Sequence, residues 1–508
     1  MGGLTTAACL AKAGKKVLVL EKHYVSGGFT QTFKRKKFEW DVGVHYVGQV
    51  NNQKSLIRKA FDYISDGKLT WDDMGEVYDQ TTIDGDVYDF KKGITQQINQ
   101  MLEYFPNDEK AIRAYYALIL QVSKHASLFF IEKTMPQWLS FLFGNQLRKR
   151  FLKYSKLTTH EVLSQLTQNQ KLIAVLCSQC GNYGLTPKES SFGIHAVVVA
   201  HYIEGAAYPS GGSANIHKSV ASVIEKHQGI IALKAGVKEI IIKNNTAIGV
   251  VMENGDQIFA KTIVSNIGVH NTFNHLIATK NQKSINTDEL NKIAPSVANV
   301  CLYVGLNGSD QELQFPKHNL WLYNNYQLDD SNLNHQNIKH SISPVIYISF
   351  PSAKDSLWNE KCPGTSTIQV LGSYSYKWVQ EWEGLQWQKR GDDYDAIKDR
   401  IKTQYLNKLY EVLPQVKGRV EIAELSTPLS TKHFTSYEHG EIYGLAHSPK
   451  RFELKQLRPK TNYKNLYLTG QDIISVGVSS AMIAGVFTSI SILNRNILWR
   501  IMRYKTAN

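Results

Sequence analysis

Two glycines and an acid near the start of the chain have the spacing of a nucleotide-binding turn. Gly2 and Gly3 open a run of small residues, and Glu21 follows Gly3 by 18 residues, directly after the apolar segment 17–20. In dinucleotide-binding βαβ units, glycines let the backbone approach a pyrophosphate, and an acid about 20 residues further on binds the ribose hydroxyls. The pattern predicts the helix and second strand of such a unit, although an ordinary αβ pair would also fit it.

Two later segments strengthen the prediction of a nucleotide site. Gly27 and Gly28 follow the acid, and paired glycines permit a close approach of backbone to a nucleotide. The stretch DVGVHYVG, with Asp41 and Gly43, could bring main chain against a flat ring. Both loops are therefore predicted to lie near the site that Glu21 marks.

A third segment, LYLTGQD, reads as a buried strand that ends at Gly470 and leads into a helix. The N-terminus of a helix after such a strand suits diphosphate and ribityl groups. Asp472 is anionic, so we expect it to bond sugar hydroxyls, and as an N-cap it could also satisfy backbone donors.

Histidine and tyrosine side chains in these patterned segments are the candidates for moving a proton. A histidine titrates near neutral pH, and a tyrosine can give a proton when it is polarised. At least half of the six candidates are expected to be structural, and for His45 a core role is as plausible as a catalytic one. The candidates are His45, His195, His201, Tyr202, Tyr208 and Tyr443.

Other catalytic constellations are not indicated. Cys177 and Cys180 have no second cysteine pair and no histidine at ligand spacing, so the sequence predicts two buried thiols on one helix and no metal. The five cysteines are too scattered for a disulfide framework, which favours a reducing compartment. We expect no signal peptide, because glycine-rich helix residues stand where its apolar core would be.

The elements that would position these residues come from distant parts of the chain. We predict a helix over 3–12, a strand over 16–20, and a β-meander after residue 229. The fold class is therefore α/β, with a Rossmann-like domain interrupted by mixed α+β insertions. The predicted cofactor domain comprises 1–50, 205–275 and 455–508. The predicted substrate-binding and membrane-contact domain comprises 51–204 and 276–454.

Charge and aromatic content indicate a membrane surface as a partner. The 508 residues carry a net charge of +14, and no nucleic-acid-binding motif accompanies it. The run 127–154 sets several aromatic residues beside Arg148, Lys149, Arg150 and Lys153, and the tail after 491 repeats this pattern. We expect peripheral or monotopic attachment at the cytoplasmic face. The uncharged stretch 473–494 is predicted to be a helix buried against the cofactor, with a membrane span as the alternative.

Taken together, the motifs resemble one family of flavoenzymes. The chain is similar to the retinol saturase branch of the FAD oxidoreductases that include carotenoid isomerases and phytoene desaturases. The similarity covers nearly the full length, and FPSAKD and the YGLTP to YPSGGS block favour the saturase branch. It is carried by the stretches MGGLTTAACLAKAGKKVLVLEKH, DVGVHYVG, YGLTPKESSFGIHAVVVAHYIEGAAYPSGGS, VSNIG, FPSAKDSLW, GEIYGLAH and NLYLTGQDIISVGV.

This resemblance implies a tightly held FAD, a polyene or other isoprenoid substrate, and a membrane-associated monomer or dimer, with NAD(P)H as a candidate electron donor. It implies that Glu21 holds the adenosine ribose and that Val237 meets the adenine. The residues that it assigns to cofactor binding are Gly2, Gly3, Glu21, Lys22, Gly27, Gly28, Asp41, Gly43, Val237, Gly470, Asp472 and Val478.

The chain departs from the family pattern in two places. The family's first strand and first two fingerprint glycines would precede Met1, and Ser210 stands where the family tends to carry a basic residue. The leading hypothesis is saturation of one carbon–carbon double bond by reduced flavin. The alternatives are polyene cis–trans isomerisation, desaturation, and a flavin-free protein that only binds lipid.

Overall fold

A computed structural model of the chain describes residues 1–278, 287–329 and 342–506. The strands are β1 (Leu18–Leu20), β2 (Thr32–Arg35), β3 (Phe38–Asp41), β4 (Val47–Gly48), β5 (Trp71–Asp73), β6 (Val77–Ile83), β7 (Asp86–Lys91), β8 (Ala206–Pro209), β9 (Ile230–Ala232), β10 (Val237–Lys243), β11 (Thr246–Met252), β12 (Gln257–Phe259), β13 (Ile263–Ser265), β14 (Ala298–Asn307), β15 (Asn319–Tyr323), β16 (Val345–Ser349), β17 (Thr365–Tyr374), β18 (Val420–Ser426) and β19 (Leu466–Leu468).

The α-helices connect and cover these strands. They are α1 (Gly2–Lys12), α2 (Leu56–Ser65), α3 (Ile94–Tyr104), α4 (Glu109–Glu132), α5 (Gln137–Ser155), α6 (Thr159–Ser164), α7 (Gln170–Cys177), α8 (Phe192–Tyr202), α9 (Ala214–Lys226), α10 (Thr287–Asn291), α11 (Pro351–Lys354), α12 (Trp358–Lys361), α13 (Asp392–Val412), α14 (Pro428–Thr435), α15 (Pro449–Glu453), α16 (Gly477–Leu493) and α17 (Leu498–Met502).

The part of the structure that carries the predicted nucleotide motifs, here called the nucleotide-binding half, is built from short parallel pairs and an antiparallel meander. Strand β1 pairs with β9, and β13 pairs with β19, both in parallel register. Strands β10, β11 and β12 form the predicted meander. The segment after Lys12 turns at Gly14, whose φ of 78° suits the left-handed position that follows a helix.

Helix α16 contains most of the uncharged stretch and packs directly on α1. A Cβ at Gly485 would lie 2.5 Å from the carbonyl oxygen of Gly2, so glycine is needed for this close approach. Thr6 on α1 also donates to the Gly485 carbonyl at 3.3 Å. The stretch is thus a buried helix, as predicted. Within the described parts of the chain, every helix is too short or too polar to cross a membrane.

A seven-stranded sheet with the order β18-β14-β17-β16-β15-β6-β7 forms the other half. All of its strands come from 51–204 and 276–454, and every neighbouring pair is antiparallel except β15 with β6. Along β14, Val300, Leu302 and Val304 pack toward α13, while Cys301 and Tyr303 face Trp40. This alternation gives the sheet two buried faces.

The five cysteines are all buried and free. Cys177 ends α7, whereas Cys180 begins the following 3₁₀ turn. The prediction that both thiols lie on one helix is therefore wrong, because α7 ends at Cys177 and Cys180 lies in the 3₁₀ turn. The prediction that both are buried is confirmed. Among the residues that the structure describes, no group of three potential ligands could hold a metal ion.

Candidate functional site

One large cavity lies between the nucleotide-binding half and the seven-stranded sheet. Its volume is about 2410 Å³, and its walls include α1, the loop after Glu21, the segment 42–45 and part of the meander. Ligand sites commonly occupy about 300–1,000 Å³. The cavity therefore has room for a dinucleotide together with an extended second molecule.

Glu21 stands at the wall of this cavity, directly after β1. Its backbone N–H donates to the carbonyl of Ala232 at 2.9 Å, which continues the β1–β9 pairing by one residue. One carboxylate oxygen, Oε1, accepts from the N–H of His23 at 2.9 Å. The other oxygen has lone pairs available for the two hydroxyls of a ribose.

The beginning of α1 has the chemistry of an anion site. The first amide bonded within the helix is that of Thr5, to the carbonyl of Met1 at 2.8 Å, so the amides of Gly2, Gly3 and Leu4 have no intrahelical acceptor. Among the described residues, no side chain caps this end of the helix. Unpaired amides and the positive end of the helix dipole favour a pyrophosphate. The residues present therefore fit an FAD molecule.

Gly27 and Gly28 form the turn after Glu21, and both line the cavity. Gly27 has a φ of 109°, and a Cβ there would lie 2.7 Å from the ring of His217. Gly28 has a φ of 57°, with open space where its Cβ would be. Gly3, Lys22, Gly43, Val237 and Val478 also line the cavity.

Four other predicted cofactor residues make contacts with the protein itself, and these are Gly2, Asp41, Gly470 and Asp472. Gly2 and Gly470 approach each other so closely that a Cβ on Gly2 would lie 2.6 Å from the amide nitrogen of Gly470. Asp41 accepts from the N–H of Ser213 at 2.9 Å and from the hydroxyl of Tyr208. Their role in binding the cofactor stays a prediction.

Asp472 likewise has both carboxylate oxygens engaged. Oδ1 accepts from the N–H of Leu445 and Oδ2 from the N–H of Val269, each at 2.9 Å. The residue lines a small separate pocket of about 190 Å³. Its carboxylate thus ties three loops together, and its predicted bond to sugar hydroxyls remains untested.

Of the six candidates for proton transfer, His45 and Tyr443 line the cavity. The pKa of His45 is lowered to about 3, chiefly by burial and further by the charge of Lys354, so its imidazole is neutral. Burial raises the pKa of Tyr443, which keeps its hydroxyl protonated. That hydroxyl donates to the carbonyl of Gly181 at 3.1 Å.

The other four candidates are engaged in the protein interior. His195 bonds Tyr115 at 2.8 Å and Tyr183 at 3.1 Å, one through each ring nitrogen. His201 accepts from the N–H of Gly48 at 2.9 Å. Tyr202 stacks on Tyr46 with centroids 4.4 Å apart, and Tyr208 donates to Asp41. These contacts hold the four side chains within the protein, and a catalytic role for any of them stays a prediction.

Where the cavity meets strands β15 and β16 of the seven-stranded sheet, it has an aromatic wall, which we call its inner end. Trp321 and Tyr347 lie on neighbouring strands, β15 and β16, with ring centroids 4.5 Å apart. His45 meets Tyr347 edge-on at 5.3 Å. Asn182 belongs to the same cavity and brings an amide group to it. The inner end can therefore hold a flat apolar molecule with few polar atoms.

Behind this wall lies a polar cluster that sequence reasoning missed. Asp79 is fully buried and accepts from Asn319 at 2.9 Å, Tyr46 at 2.9 Å and Gln179 at 2.7 Å. Lys354, only 1% exposed, donates to Asn319. The lysine of the FPSAKD stretch, a cation in an apolar context, was the one signal that could have led to it.

Burial shifts the titration of both charged members of the cluster. It raises the pKa of Asp79 to about 6, although hydrogen bonds from Asn319, Tyr46 and Gln179 oppose the shift. It lowers the pKa of Lys354 to about 7, against the attraction of Asp79 and Asp41.

A pH dependence of stability follows from the raised pKa of Asp79. Between its ordinary pKa of 3.8 and about 6, the folded protein binds more protons at this site than the unfolded chain. The wild type should therefore lose about 2 kcal/mol of unfolding free energy, relative to Asp79→Asn, as the pH rises from 4 to 6. Parallel urea titrations of the two proteins at several pH values measure this difference. A constant difference would contradict the burial of an ionisable carboxyl here.

Comparison with known proteins agrees with this geometry. Residues 1–489 match the family described as "Flavin containing amine oxidoreductase". The chain belongs to this family. Flavin-dependent oxidoreductases of this kind hold FAD, which agrees with the uncapped start of α1 and with the free oxygen of Glu21.

Individual proteins that are similar to this chain extend the comparison. The "All-trans-retinol 13,14-reductase" of Danio rerio is 34% identical over 521 residues, which cover 98% of this chain and 85% of that protein. A "Prolycopene isomerase 1, chloroplastic" of an Oncidium hybrid cultivar is 25% identical, over 95% of this chain and 81% of that protein. An oxidoreductase from Methanosarcina mazei has a similar fold, with a TM-score of 0.62, 15% identity, and coverage of 97% of this chain and 98% of that one.

Proposed function

We propose that this flavoenzyme saturates one carbon–carbon double bond of a conjugated isoprenoid polyene. The observation that carries the proposal is the continuity of the cavity. One space runs from the nucleotide-binding turn to an aromatic inner end, so a flavin and a flat polyene can meet within it. The retinol reductase similarity, at 34% identity over nearly the whole chain, favours saturation over isomerisation.

In this proposal, residues of the nucleotide-binding half hold FAD. The amides that begin α1 bind the pyrophosphate, Glu21 binds the adenosine ribose, and Val237 contacts the adenine. Gly27, Gly28 and Gly43 leave space for the backbone to approach the cofactor. When bound and reduced, the flavin supplies a hydride for the double bond.

The protein's own contribution at the inner end is to exclude water and to hold a proton. Trp321 and Tyr347 give the polyene an apolar face and keep bulk water from the reacting carbons. Tyr443 is the group that we assign to proton delivery, because it lines the cavity and carries a hydroxyl hydrogen, which would have to leave the Gly181 carbonyl to reach the ligand. Neutral His45 lies at the same wall and orients the ligand by ring contact.

Product mass separates the proposal from its rivals. The purified protein is reduced anaerobically, with dithionite or NAD(P)H, and incubated with an all-trans polyene. Saturation gives a product heavier by two hydrogen atoms, isomerisation gives one of unchanged mass, and desaturation one lighter by two. A protein that binds the polyene but purifies without flavin, and takes up none when FAD is added, would be a lipid-binding relative. Only the first outcome supports the proposal.

We also propose that the surface where α4 meets α5 docks on a lipid bilayer. Phe141 is 85% exposed and Trp138 65%, and Leu142 and Phe143 beside them are exposed too. The side chains of Lys149, Arg150 and Lys153 follow on α5 and are exposed, which suits anionic headgroups. Arg148 of the predicted basic cluster is buried instead, and its Nε donates to the Gly144 carbonyl at 3.1 Å.

The double variant Trp138→Ser/Phe141→Ser should bind anionic vesicles at least about tenfold more weakly than the wild type. Each large apolar side chain removed from the bilayer interface forfeits about 1.5–3 kcal/mol of burial. Vesicle cosedimentation measures the partition coefficient. Val87→Ser is the matched control, because Val87 is also exposed, at 48%, but lies on β7 at the edge of the large sheet. An equal loss in both variants would contradict a docking role for α5.

A further inference from the structure

We propose that Asn182 recognises the terminal hydroxyl group of a polyene alcohol and thereby makes the enzyme prefer alcohols to the corresponding ethers and hydrocarbons. The inference rests on the proposed function, since it takes the inner end of the cavity to be the polyene site. It rests on a buried chain of hydrogen bonds that runs from Lys354 through Asn319, Asp79 and Tyr46 to Asn182. The two charged members, Lys354 and Asp79, determine which atom donates in each bond of this chain.

The chain begins at Lys354, which in its protonated form has only donors to offer. Its Nζ donates to the carbonyl of His45 at 3.0 Å, to Oγ of Ser349 at 2.8 Å and to Oδ1 of Asn319. Because the oxygen of the Asn319 amide is occupied by this donor, its nitrogen must point the other way. Asn319 Nδ2 accordingly donates to Asp79 Oδ1 at 2.9 Å. Asn319 and Asp79 are register partners in the β15–β6 pair.

Asp79 is the second fixed point, because an ionised carboxylate only accepts. Its Oδ2 already takes the amide of Gln179 at 2.7 Å, and the hydroxyl of Tyr46 must use its single hydrogen to donate to it at 2.9 Å. The oxygen of Tyr46 is then left as an acceptor. It accepts from Nδ2 of Asn182 at 2.9 Å.

The orientation of the Asn182 amide follows from these constraints. Its nitrogen is held by Tyr46, so Oδ1 is the atom that remains for a ligand. No donor among the described residues reaches this oxygen, and Asn182 lines the cavity beside Trp321 and Tyr347. The protein thus presents this acceptor beside the aromatic side chains of Trp321 and Tyr347.

An acceptor in such a wall selects for a ligand with a hydrogen-bond donor. A hydroxyl satisfies Oδ1, whereas an ether or a hydrocarbon excludes water from it and leaves it unpaired. Sites built to bond a substrate hydroxyl reject analogues that lack it, because the buried polar group is then left without a partner. The reaction itself needs no contact between Asn182 and the reacting carbons, so its role is in specificity.

The test compares the binding of all-trans-retinol and its methyl ether to the flavin-loaded protein, by quenching of tryptophan fluorescence. We expect the wild type to bind the alcohol about tenfold more tightly than the ether. Asn182→Leu should abolish this preference, because the alcohol loses its acceptor and binds more weakly, while the ether no longer leaves a polar atom unpaired. Equal weakening of both ligands, or an intact preference, would overturn the proposal.

Two further variants keep the result interpretable. Tyr46→Phe retains the ring but frees the Asn182 amide to turn, so it should narrow the preference without changing the size of the cavity. Asn299→Leu replaces another asparagine of the cavity wall, on β14, and should keep the full preference. A preference that survives Asn182→Leu and disappears in Asn299→Leu would assign the hydroxyl to Asn299 and refute the proposal.

Failure of this inference and failure of the proposed function give different results. Binding is measured without turnover, so the preference can be lost or kept whether or not the polyene is saturated. If the wild type binds both ligands with equal affinity and reduces the double bond of both, the hydroxyl contact is wrong and the proposed function stands. If it binds the alcohol selectively but yields an isomer of unchanged mass, the contact stands and saturation is wrong.

Discussion

Replacing Glu21 by alanine should give a folded protein that purifies with almost no flavin. The carboxylate has one oxygen on the amide of His23 and the other available to the two ribose hydroxyls. Hydrogen bonds to a charged acceptor contribute about 1.5–3 kcal/mol each, so losing two raises the dissociation constant of FAD by about 10²–10⁴-fold. The ratio of visible flavin absorbance to protein absorbance, followed by titration with FAD, measures the loss.

A suitable control for this experiment is Glu253→Ala. Glu253 forms an exposed ion pair with Lys22 at 2.8 Å, close to the same turn, and such pairs contribute only about 0–1 kcal/mol. This variant should retain its flavin and the same circular dichroism spectrum as Glu21→Ala. If Glu21→Ala keeps a full complement of flavin through dialysis, the acid is not the ribose ligand.

Asp79→Leu should lower the free energy of unfolding by about 3–5 kcal/mol. The substitution leaves the donors of Asn319, Tyr46 and Gln179 buried without an acceptor, and an unpaired buried donor costs about 1–3 kcal/mol. It also removes the nearest carboxylate from the field of buried Lys354. Removing one member of a buried charged cluster is known to be this damaging. Urea unfolding followed by tryptophan fluorescence measures the change.

The comparison that isolates the carboxylate is Asp79→Asn. An amide keeps one acceptor oxygen and nearly the same volume, so the loss should be about 1–2 kcal/mol. Both variants sit behind the aromatic wall, and both should leave the flavin spectrum unchanged. A loss below 1 kcal/mol for Asp79→Leu would mean that the three donors find other partners, and the hydrogen-bond direction assigned to Asn182 would lose its support.

Much of the nucleotide-binding half could be predicted because its signals are local. The spacing from Gly3 to Glu21, the paired glycines and the uncharged stretch before residue 494 each lie within one strand, turn or helix. Periodicity and glycine position are enough to place such elements. The observed limits of α1, at Gly2 and Lys12, differ from the prediction by one residue.

The choice among six proton-transfer candidates could not be made in the same way. Helix α8 carries His195 and His201 but is buried on nearly every side, so its sequence has no polar face to show which residues meet a ligand. Only packing decides that His195 lies between Tyr115 and Tyr183 while Tyr443, far along the chain, reaches the cavity.

The sequence by itself determined the α/β class and the turn that Glu21 marks, because each depends on short-range patterns of glycine, charge and hydrophobicity. The FAD family was indicated by the resemblance of stretches along nearly the whole chain. Only the tertiary structure brought Asp79, Asn319 and Lys354 together, through the parallel pairing of β6 with β15 and the turn from β16 into α11. The direction of each hydrogen bond in that cluster depends on side chains from three segments that are far apart in the sequence. No local pattern specifies it, and for this reason the polar atom offered at the inner end of the cavity could be found only in the folded protein.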